Sequence, residues 1–94
     1  MNNQVIARMS AAIEDAVEMG ENINLFMFIN DETIMEGNIN ANRITVENNN
    51  INILQGGFDM RFYFEDTEIT IEEDEDYGDT YIITKGPLEI ALSL

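Results

Sequence analysis

The chain has 94 residues, 45% of them hydrophobic, which suits one domain spanning 1–94 with one ordinary core. Lys and Arg number 4 against 19 Asp and Glu, and the resulting net charge of −15 argues against direct contact with nucleic acid phosphates or an anionic membrane. Cysteine and histidine are both absent, which removes disulfides, thiolate metal sites, the commonest general base and the best nucleophile.

Residues 4–19 carry a helical period. Val5, Ile6, Met9, Ala12, Ile13, Ala16 and Val17 recur at three- and four-residue spacing, with Arg8, Glu14, Asp15 and Glu18 on the other face. Asn2 or Asn3 is expected to cap the first turn, and Gly20 the last. From Asn22 the period becomes two. Ile23, Leu25, Met27 and Ile29 predict a strand that is apolar on both faces in its middle, followed by a turn at Asn30-Asp31-Glu32. A second strand over Thr33 to Ile39 carries Gly37 as a bulge candidate, and Asn40-Ala41-Asn42 turns the chain again. A short β-branched segment from Arg43 to Glu47, a turn at Asn48-Asn49-Asn50, and Ile51 and Ile53 come next.

Gln55-Gly56-Gly57 is a hairpin signal. The clearest alternation follows it: Phe58, Met60, Phe62 and Phe64 on one face, Asp59, Arg61, Tyr63 and Glu65 on the other. Ile69 and Ile71 predict a further strand, interrupted by an acidic loop from Glu72 to Asp79, with Thr80 to Thr84 resuming the extended pattern. After Lys85-Gly86-Pro87, alternation from Leu88 to Leu94 predicts a last strand in preference to a short helix.

One helix followed by strands with short connections predicts the α+β class: a single N-terminal helix packed on a curved, mainly antiparallel β-sheet. Ile13, Val17, Leu25, Phe58, Met60, Phe62 and Phe64 are the expected core. No apolar run approaches the roughly 20 residues that span a bilayer. The opening Met1-Asn2-Asn3-Gln4 lacks the basic region of a secretory signal, so a cytoplasmic location is expected.

No catalytic, cofactor or metal site is expected. Ser10 and Ser93 have no nucleophile-elbow context, and Gly56-Gly57 lacks the Lys and helix start of a phosphate loop. Glu72 to Asp79 is rich in oxygen ligands, but setting Gly78 at the sixth position of a calcium loop puts Thr84 where the twelfth, acidic ligand belongs.

The candidate binding site is the acidic run itself: Glu65, Asp66, Glu68, Glu72, Glu73, Asp74, Glu75, Asp76, Tyr77 and Asp79, with no Lys or Arg between Arg61 and Lys85. Alternate residues on a strand repeat at about 6.6–6.8 Å, comparable with successive phosphates along a nucleic acid strand. Glu68, Glu72, Asp74 and Asp76 would present such a row if the strand persists past Ile71. Tyr63, Tyr77 and Tyr81 lie near the run and suit interface anchoring.

In its small size, absence of cysteine, net charge of −15 and acidic run from Glu65 to Asp79, the chain resembles phage-encoded acidic inhibitors that mimic DNA. The likeness lies in composition, so no individual residue role is carried over. It implies a non-enzymatic inhibitor of anti-CRISPR or anti-restriction type, whose partner is a basic, nucleic-acid-binding enzyme. Two alternatives share the profile: an immunity protein against a nuclease toxin, and a small structural or adaptor module that binds through its sheet.

Overall fold

A computed structural model describes residues 3–74 and 78–94. Helix α1 (Asn3–Glu18) is followed by eight strands: β1 (Asn22–Ile29), β2 (Glu32–Asn40), β3 (Ile44–Val46), β4 (Asn50–Gln55), β5 (Phe58–Tyr63), β6 (Glu68–Asp74), β7 (Gly78–Lys85) and β8 (Leu88–Ser93). The class is α+β as the sequence predicts, and every strand pairing is antiparallel. The last segment is a strand.

The helix ends as Gly20 predicts. With φ at 67°, Gly20 donates to the Val17 carbonyl, and Glu21 donates to the Ala16 carbonyl, so the closing turn satisfies two carbonyls the helix leaves open. Met9, Ile13 and Ala16 form its buried face. Val17 belongs to that stripe by spacing but is 42% exposed, because it sits at the rim of a groove in the last turn.

The β1–β2 hairpin turns at Asn30 and Asp31, whose φ values of 51° and 66° fit the two left-handed positions of a type I′ turn. The bulge in this pair is not at Gly37. Met27 pairs with Met35 and Phe28 with Thr33, so Ile34 is the extra residue.

The expected single sheet is two. β2-β1-β8-β7-β6 forms an open five-stranded sheet, and β3-β4-β5 forms a separate three-stranded one. The chain leaves the large sheet at a 3-10 turn over Ala41–Arg43, where the Asn40 side chain accepts from the Asn42 amide. It returns through a second 3-10 turn, Phe64–Asp66. Each turn redirects the backbone and stops the ladder, a switch that alternation alone does not signal.

The core lies between one face of the large sheet and the layer made by α1 and the small sheet. Ile23, Leu25, Ile69, Tyr81, Ile83, Ile90 and Leu92 meet Met9, Ile13, Ile44, Ile51, Ile53 and Phe62 in one buried cluster. Of the expected core, Ile13, Leu25 and Phe62 are buried, and Met60 and Phe64 pack partly against the cluster. Phe58 is 76% exposed, because β5 begins at the hairpin tip and projects past the core. Phe64 has left the strand for the 3-10 turn.

Candidate acidic interface

The described part of the acidic run from Glu68 onward is paired strand, the β6–β7 hairpin, rather than a loop. β6 stays extended through Asp74 and pairs with β7 from Glu68↔Thr84 to Asp74↔Gly78. The predicted interruption at Glu72 is absent because Thr70, Ile71 and Glu72 have ladder partners in Ile82, Tyr81 and Thr80. β6 is also an edge strand, where charge discourages pairing with other chains.

The pleat then divides the acids between two faces. Ile69 is buried and Ile71 half-buried toward the core, so Glu73 shares their face, while Glu68, Thr70 and Glu72 point outward and are exposed. Thr70 separates the two carboxylates, leaving them about 13 Å apart along the strand. Their β7 neighbours, Thr84 and Thr80, are uncharged. Glu65 and Asp66 lie exposed on the 3-10 turn before the strand. Glu75, Asp76 and Tyr77 fall outside the described residues.

On the other face, long-range folding supplies a cation that local sequence does not. Arg8 of α1 reaches Glu73 Oε1 and Asp79 Oδ2, each at 3.2 Å. The run therefore has a counter-ion, brought from 65 and 71 residues away. This clasp ties the helix to the hairpin, and the hydrogen bond that Arg8 donates to Glu73, together with the charges of the two carboxylates, raises the Arg8 pKa further. Exposed pairs of this kind are screened by solvent and contribute little to stability. Glu73 and Asp79 thus serve the fold, while Glu68 and Glu72 remain without a described counter-charge.

The tyrosines separate too. Tyr81 is 1% exposed in the core, Tyr63 is exposed on the small sheet, and neither flanks the outward acids. Burial pushes the Tyr81 hydroxyl above its ordinary value of 10.0, Asp79 pushes it further, and Arg8 pulls it back. A raised folded pKa favours the neutral form. Its stabilising contribution is present below the unfolded value and is lost as pH rises through the folded one. Chemical denaturation should therefore show stability falling in the alkaline range above about pH 10, and Tyr81→Phe should flatten that fall. An equally steep decline in Tyr81→Phe would contradict the assignment.

A concavity lies elsewhere, between α1 and β3. It has a volume of about 330 Å³ and is lined by Ser10, Ile13, Glu14, Val17, Glu18, Ile44, Thr45 and Val46. Ser10 has no histidine to activate it, since the chain contains none. Among the described residues no three acids gather as a metal-binding group, and no helix is long and apolar enough to cross a membrane.

Sequence reasoning missed Arg8 as the hairpin's counter-ion, and it read β1 as apolar on both faces without placing the second face on the outside of the large sheet. Phe26 and Phe28 stack there with ring centroids 6.5 Å apart, outside the core cluster. Two phenylalanines in the even register of β1 were the available signal. No protein-family model, curated protein or solved structure matches this chain.

Proposed function

We propose that this protein is a non-enzymatic acidic inhibitor that occupies the basic groove of a nucleic-acid-binding enzyme in the cytoplasm. The observation that supports this reading is the extended β6 edge: it presents Glu68 and Glu72 outward and stays extended through Asp74. A strand holds carboxylates in a fixed row at little further entropic cost on binding, which a solvated loop does not. The net charge of −15 supplies the long-range field that guides a basic surface toward this edge.

Association is expected to be electrostatically steered. With the partner isolated by affinity capture from the native host, stopped-flow mixing should show the on-rate falling steeply as salt shortens the Debye length to about 8–10 Å. The captured partner should also bind nucleic acid when this protein is absent. An on-rate that does not change with salt, or a partner without nucleic-acid affinity, would overturn the reading.

A further inference from the structure

The outer face of the five-stranded sheet is a patterned surface on which no element of the described residues packs. Antiparallel register places three rows across it. The central row runs Glu36, Phe26, Ala91, Ile82, Thr70 across all five strands. A second row runs Thr33, Phe28, Glu89, Thr84, Glu68. The third is polar at its centre and ends on Glu72.

Ala91 is 8% exposed yet stands apart from the core cluster, shielded by neighbours on its own face. Phe26, Phe28 and Ile82 are half-buried and likewise outside that cluster. The solvent face of an antiparallel sheet is ordinarily polar. Here its three central strands carry an apolar stripe, with Glu89 of β8 beside it as the one central acid in these rows, and both edge strands carry acids.

The dimensions select an occupant. Strands β1 to β7 span two inter-strand spacings, about 10 Å, which matches the 10–12 Å diameter of an α-helix. The edges β2 and β6 lie about 19 Å apart, so Glu36 on one side and Glu68 and Glu72 on the other would flank a helix laid over β8. None of the residues in these rows is a cation. A second copy of the chain would bring its own charge of −15 against these acids, which disfavours self-pairing.

We infer that this face docks an amphipathic helix of the partner protein, with its apolar stripe on Phe26, Phe28 and Ile82 and Lys or Arg along both flanks. The inference rests on the reading above in taking the partner as basic. It adds a contact that charge alone does not provide.

The test uses the full chain, isotope-labelled for NMR, and two leucine–lysine peptides of identical composition, each about five helical turns long. One peptide places its leucines at helical spacing to form a stripe, and the other is scrambled. The striped peptide is expected to bind at least about tenfold more tightly and to shift the amide resonances of Phe26, Phe28, Ile82 and Ala91. The double variant Phe26→Ser/Phe28→Ser should abolish that preference. If it does not fold, Ile82→Thr, a substitution that suits a strand, should reduce the preference.

Equal binding of both peptides, with shifts confined to the β6–β7 hairpin, would overturn the docking face and leave the charge-led reading standing. No binding of either peptide would overturn both. Concentration-dependent self-association through the same resonances would identify a second copy as the occupant and overturn the inference.

Discussion

Phe62→Ala is expected to destabilise the protein by about 3–5 kcal/mol, the usual range for emptying a buried phenylalanine site. Phe62 is 6% exposed and lies opposite Ile51, which is fully buried, at the centre of the small sheet. Its ring joins that sheet to the common core, so the variant loses transferred apolar area and leaves a cavity that short, laddered strands cannot close. A domain of this size has roughly 5–15 kcal/mol of stability in all, so the loss is a large share. Phe58, two turns of the pleat earlier on the same strand, supplies the control. It is 76% exposed, and Phe58→Ala should change stability by no more than about 0.5 kcal/mol. Guanidinium denaturation of both variants measures the contrast, and a Phe62→Ala loss below about 1 kcal/mol would mean that the small sheet does not share the core.

That contrast marks what periodicity conveys. Alternation from Phe58 to Phe64 identifies a strand and one apolar face, but it does not say how far the strand reaches past its neighbours. The helix, its glycine cap and the hairpin turns were legible because each depends on residues within one turn of chain. The division into two sheets was not: a turn near Ala41–Arg43 could be read from the sequence, but the change of sheet there and at Phe64–Asp66 depends on β1 pairing with the distant β8. The candidate site shows the same boundary. The concentration of acids was plain in the sequence. The pleat that turns Glu68 and Glu72 outward and Glu73 toward Arg8 follows from strand continuity past Ile71, which the acidic composition obscured.

Reversing charge at Glu72, Asp74 and Asp76 together should weaken partner binding by roughly 30- to 150-fold, if each change costs about 0.7–1 kcal/mol. The fold supports the choice at Glu72 and the sparing of Glu73 and Asp79, while Asp76 lies outside the described residues. Glu73 and Asp79 are left in place because they hold Arg8 and tie the helix to the hairpin. Glu72 is exposed, pairs with Thr80 and makes no described ion pair, so its replacement leaves the core untouched. Glu14→Lys/Glu18→Lys provides the comparison, since both residues are exposed on α1 at the groove beside β3, away from the outward face of β6. That pair alters the net charge by four of the six units changed in the triple variant, yet should weaken binding by less than about tenfold, because it acts only through the screened field.

The most direct measurement is displacement of nucleic acid from the isolated partner, comparing wild type, the triple lysine variant and the helix variant, with circular dichroism to establish that all three are folded. Wild type should release the nucleic acid, the helix variant should remain close to it, and the folded triple variant should require far higher concentration. A folded triple variant that displaces nucleic acid as well as wild type would contradict the acidic edge as the inhibitory surface.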